Sequence, residues 1–155
     1  MNQTDKVGII LPHLGSSQLS YLACQYIHSL TEERPDMDFV LFYEDLVKPC
    51  MIPSCAMLNI SEVWHFDGTL ISTDIPSTLS SIKANSPTKK IFYVWDLEWL
   101  RAYKQAYTYN IKAFMDYDVK IVCRSNSHAL ETSYFSNRKV DAVIENFDLR
   151  AILEL

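Results

Sequence analysis

Residues 6–30, KVGIILPHLGSSQLSYLACQYIHSL, restrict the possible fold more than any other stretch. Val7 to Leu11 is a short apolar run closed by Pro12, as expected of a buried strand. A flexible polar link follows, His13-Leu14-Gly15-Ser16-Ser17. Leu19, Leu22, Ala23, Tyr26, Ile27 and Leu30 then recur at helical intervals. A strand, a tight Gly/Ser turn and an amphipathic helix form the first half of a βαβ unit. Ser16 or Ser17 is placed to cap the helix, leaving backbone N–H groups at a partly positive helix end. In open α/β sheets such turns carry the ligands. The turn holds a single glycine and fits neither the dinucleotide-binding nor the P-loop pattern, so it predicts a ligand-facing edge without naming a ligand.

The same alternation continues to the end of the chain. Phe39 to Tyr43 is a β-branched and aromatic run, expected to be the second strand after the break at Pro35. Glu44 to Met57 contains Pro49 and Pro53, shows neither period and reads as a loop. Val63 to Thr73 reads as strand, turn and strand end, with Asp67-Gly68 as the turn. Asp74 and Pro76 open a short helix to about Ala84. Ile91 to Trp95 is a buried-type strand, and Asp96 is placed to cap a helix bearing Leu100, Tyr103, Tyr107, Ile111 and Phe114. Val119 to Cys123 and Val140 to Ile144 are further strands, with a helix from Ser127 to Phe135 between them and a helical stub after Asp148.

Strands alternating with helices predict one α/β domain, Rossmann-like, with a mostly parallel sheet and helices on both faces. A chain of 155 residues buries a substantial core as one domain. The loops expected to share the ligand edge are His13–Ser17, Glu44–Asp45, Asp67–Thr69, Asp96–Trp99, Arg124–His128 and Glu145–Asp148.

Charge and composition narrow the functions. The net charge is −5 and no Lys/Arg block opposes a phosphate backbone, which argues against nucleic acid. No apolar run approaches a membrane span, and MNQTDK lacks a signal-peptide pattern, so a cytoplasmic protein that stays where it is made is expected. Four cysteines fit a reducing compartment, with Cys24 and Cys123 as small buried apolar residues. Cys50, Cys55 and His65 lack the second pair of a zinc site, so neither metal nor cofactor is expected.

The candidate chemistry lies in the strand-end loops. Asp96 and Glu98 offer two carboxylates, Asp96 as a general base toward a hydroxyl or simply as a helix cap, with Trp95 or Trp99 as a stacking platform. His13 and His128 sit beyond strand ends, where an imidazole can exchange protons near neutrality. Arg124-Ser125-Asn126-Ser127-His128 has the residue types to hold an anion at a helix start, and Ser125 can equally serve as the cap. Gly15, Ser16 and Ser17 complete the first loop. Asp67-Gly68-Thr69 is more simply a turn than a phosphotransfer loop. No nucleophile–base pair stands out.

KVGIILPHLGSSQLSYLACQYI resembles the opening of GT-B glycosyltransferases, and IFYVWDLEWLR is similar to that family's strand ending in His-Asp. KIVCRSNSHALETSYF followed by KVDAVIENFDLRAIL resembles the segment that reaches Asn-x-x-Asp at the crossover to the second domain, with Asn146 and Asp148 one residue closer together. The chain also looks like small glycosyltransferase-like proteins of large tailed phages, particularly those of marine cyanobacteria, for which host cytoplasm or virion association is implied. The resemblance implies the N-terminal, acceptor-side half of the fold. The sequence departs from the family in placing Trp95 where histidine is usual, and no donor-binding half is expected in it. A GT-B enzyme works by closing two domains over its substrates. The resemblance therefore implies a non-catalytic binding or assembly module with a protein partner or self-association. Two alternatives stand beside it, an acceptor-binding part completed in trans and a small sugar- or nucleotide-binding protein. Asp96 would carry any catalysis, and Trp64 or Trp99 any aromatic interface.

Overall fold

In the computed structural model, which describes residues 5–101 and 106–155, the apolar runs assemble into one sheet of seven strands. The strands are β1 (Asp5–His13), β2 (Met37–Asp45), β3 (Ala56–Asn59), β4 (Thr69–Ser72), β5 (Lys89–Val94), β6 (Val119–Cys123) and β7 (Ala142–Val143). Their order is β3-β2-β1-β4-β5-β6-β7, and every neighbouring pair is parallel. This is a Rossmann-like arrangement, with the strand order reversing between β1 and β4.

The helices are α1 (Gln18–Glu33), α2 (Ile75–Lys83), α3 (Tyr107–Asn110), α4 (Lys112–Met115), α5 (Asn126–Ser136) and α6 (Leu149–Leu153). A strand's side chains alternate between faces, and both faces here are covered, which is why the central strands read as continuous apolar runs. On one face Val7, Ile9, Leu11, Leu41, Ile91 and Tyr93 pack with Leu19, Ala23 and Ile27 of α1 and with Leu149 and Ile152 of α6. On the other, Phe92, Val94, Ile121 and Cys123 pack with Ile75 of α2, Ala113 and Phe114 of α4 and Ala129 of α5. Cys24 and Cys123 are both buried, and burial pushes each thiol up to about 11.

Three local expectations are corrected. The stretch 44–57 is not loop throughout, because Ala56–Asn59 pairs in parallel with Val40–Tyr43 as the edge strand. Ile60–His65 is a 3-10 helix rather than a strand, capped by the Asn59 side chain, which accepts from the Ser61 N–H at 3.0 Å. The single helix expected after Asp96 is instead a 3-10 turn, Glu98–Arg101, followed by α3 and α4. Tyr103, assigned to that helix, lies outside the described residues.

The exit from β7 has an unusual backbone. Asn146 and Phe147 both have positive φ, 55° and 54°. Asparagine tolerates this region, but a bulky phenylalanine does not adopt it without support. Support comes from β5, where the buried Tyr93 hydroxyl donates to the Ile144 carbonyl at 2.6 Å and accepts from the Phe147 N–H at 3.1 Å. The two rings meet edge to face at 4.9 Å.

Candidate functional site

The chain leaves β1 toward α1 on one face and leaves β4 toward α2 on the other, so the two loops diverge and open a cleft. That cleft is a cavity of about 310 Å³ lined by Pro12, His13, Ser17, Leu19, Ser20, Thr73, Asp74, Trp95, Asp96 and Glu98. It lies at the carboxyl ends of β1, β4 and β5, the position at which open α/β sheets bind ligands.

Each wall is fixed by its own hydrogen bonds. On the β1 side, Ser17 caps α1 by accepting from the Ser20 N–H at 3.1 Å, and the Ser20 hydroxyl donates to the His13 carbonyl at 2.8 Å. The Gly15 N–H donates to His13 Nδ1 at 3.1 Å, which folds the imidazole back over its own turn. On the β4 side, Thr73 donates to the Ile10 carbonyl at 2.8 Å. Asp74 forms a reciprocal capping box with Ser77 at the start of α2.

The β5 exit supplies the other carboxylates. Asp96 accepts from the adjacent Leu97 N–H at 2.9 Å and pairs with Arg101 at 2.8 Å, so it is held by its own turn rather than capping a long helix. Glu98 reaches across to α2 and accepts from the Ile75 N–H at 3.0 Å. Burial, then the charge of Asp74, pushes the Glu98 carboxyl up to about 7. Glu44 is raised by burial and by Asp74, and Tyr109 by burial and the same carboxylates. The cleft is therefore a negative enclosure. Arg101 pairs with Asp96 at its rim.

Trp95 forms a shared wall with a second cavity of about 250 Å³, lined also by Arg124, Ser125, His128, Glu145 and Asn146. The Arg124 guanidinium lies over the Trp95 indole, 4.2 Å from the ring centroid. Ser125 caps α5 by accepting from the His128 N–H at 3.2 Å, and its hydroxyl is 2.9 Å from His128 Nδ1. Burial, then the Arg124 charge, lowers the His128 pKa.

The structure thus brings His13, Ser17, Asp96 and Glu98 together around one cavity, and Arg124, Ser125 and His128 around its neighbour. Gly15 is buried in the first loop and Ser16 is exposed there, and neither lines the cleft. Two expected residues lie elsewhere. Asp67 is at the opposite, amino-terminal ends of the strands, because the residues before it form a 3-10 helix and it precedes β4 instead of following a strand. There it pairs with Lys6 at 2.6 Å, which holds its carboxyl below the usual range. Trp99 is core: it is 9% exposed, stacks on Phe135 at 4.5 Å and meets Phe114 edge to face. Trp64, by contrast, is 47% exposed.

In the sequence Asp74 reads only as a helix start. Its signal was present, since Asp74 follows the apolar run of β4 as Asp96 follows that of β5. The site role of Thr73 and Ser20 depends on the turn geometry and has no sequence signature. Among the described residues no three His, Cys, Asp or Glu side chains are placed to hold a metal ion. Among them, too, no helix is long and apolar enough to cross a membrane. No family model matches the chain, and neither the curated proteins nor the solved structures give a match.

Proposed function

We propose that this chain is a binding module whose crossover cleft takes a neutral, hydroxyl-rich ligand such as a sugar, without catalysing a reaction on its own. The observation that carries this reading is the lining of the cleft. Asp74, Asp96 and Glu98 line it, beside Ser17, Ser20 and Thr73. Carboxylates accept hydrogen bonds from sugar hydroxyls, whereas a diphosphate would be repelled at this range. Trp95 adds an aromatic wall of the kind that sugar rings stack on. The acidic lining disfavours the nucleotide-sugar alternative in this cavity.

An acceptor-binding role completed by a second polypeptide is the other reading, and Glu98 favours it. A carboxyl raised to about 7 is poised to accept a proton from an acceptor hydroxyl. The test is a thermal-shift and calorimetric screen of neutral mono- and oligosaccharides beside nucleotide sugars. A neutral sugar at a hundredfold excess over its dissociation constant should stabilise the fold by about 2.7 kcal/mol, and Asp74→Asn or Asp96→Ala should weaken it. Binding of nucleotide sugars in preference to neutral ones would overturn the reading.

A further inference from the structure

We infer that the chain self-associates through β3, two copies joining edge to edge about a two-fold axis into a continuous sheet. The strand Ala56–Asn59 ends the sheet on one side, and all four of its residues are exposed. A sheet edge presents unpaired N–H and C=O groups, and natural proteins blunt such edges with charges, prolines or a covering element. This one has no charge or proline within it.

Its surroundings are uncharged over a longer span. From Pro49 to Ser61 there is no Asp, Glu, Lys, Arg or His, in a chain of net charge −5. Two identical anionic copies therefore bring no charged side chain of this segment against its counterpart. Apolar side chains flank it: Ile52 is 90% exposed, and Met57, Leu58 and Trp64 are each more than two-fifths exposed. The opposite edge, β7, is only two residues long and adjoins Asp141 and Glu145. Pairing of β3 with β7 would build an open filament from mismatched edges, whereas β3 against β3 is self-complementary and closes as a dimer.

Sedimentation velocity and light scattering under reductant, which keeps the exposed Cys50 from linking copies, test this directly. At ~100 µM, where a micromolar dimer is nearly complete, the mass should be twice the 17.9 kDa of one chain. Leu58→Lys and Met57→Lys should each raise the dissociation constant at least tenfold, while Leu130→Lys on the exposed side of α5 should not. In the unmodified protein, amide exchange at Ala56–Asn59 should slow as concentration rises, a reading independent of how well the variants fold. A monomer at ~100 µM, exchange at this strand that does not depend on concentration, or a dimer dispersed by Leu130→Lys would each overturn the inference.

Discussion

Replacing Glu98 with glutamine removes a carboxyl that ordinarily titrates near 4.5 and in this fold is pushed to about 7, first by burial and then by Asp74. The folded state holds the Glu98 proton more tightly than the unfolded chain does. Between about 4.5 and about 7 the native state therefore binds more protons, so this group's contribution falls as pH rises through that window and is constant above it. At about 1.4 kcal/mol per unit the whole shift corresponds to about 3 kcal/mol, and the water reaching a partly buried carboxyl leaves about 2 kcal/mol. The variant amide still accepts from the Ile75 N–H, so Glu98→Gln keeps the bridge to α2 and loses only the ionisation. Urea unfolding followed across this pH range should give nearly equal stabilities at the acidic end. At the alkaline end the variant should be the more stable protein by about 2 kcal/mol. Titrating groups that do not interact with Glu98 are common to both proteins and cancel in the difference. Parallel curves, or a loss in the variant that is constant with pH, would show that the carboxylate is not strained by its surroundings.

Two further substitutions test the frame around the site. Tyr93→Phe removes the hydroxyl that bonds both Ile144 and Phe147, leaving two backbone groups without that partner, and chemical denaturation should record a loss of about 1–3 kcal/mol. Gly68→Ala places a methyl 2.4 Å from the Lys6 carbonyl oxygen, a backbone atom that cannot turn aside, and the melting temperature should fall with a cost of about 1–3 kcal/mol.

The order of strands and helices was legible because buried parallel strands and amphipathic helices leave different periods, and in β1, α1, β5 and β6 both are clean. The edge strand was not. Ala56–Asn59 is exposed on both sides, so no apolar alternation marks it, and Pro49 and Pro53 upstream suggested a loop. Ile60–His65 misled for the opposite reason: Ile60, Val63 and Phe66 are apolar and packed, but at the three-residue spacing of a 3-10 turn. That one misreading carried Asp67 to the wrong end of the sheet. The carboxylates of the cleft were half legible. Asp96 and Glu98 stood beyond an obvious strand, while Asp74 joined them only through the pairing of β4 with β5, which brings the two strand ends side by side. Trp99 and Trp95 are indistinguishable as residue types, and only the packing of Phe114 and Phe135 decides which is core.

The crossover also has a mechanical meaning. β1 and β4 meet over four paired positions, Val7–Ile10 against Thr69–Ser72, and this short joint is where the two halves of the sheet are sewn together. Thr73 bolts its upper end to Ile10. The cleft straddles that joint, with Pro12, His13, Ser17 and Ser20 on one bank and Thr73, Asp74, Asp96 and Glu98 on the other. A molecule held there grips both banks at once and acts as a rivet. Parting the halves would first require its release, so occupancy of the cleft would be felt as a longer lifetime of the closed sheet, far from any surface the ligand touches.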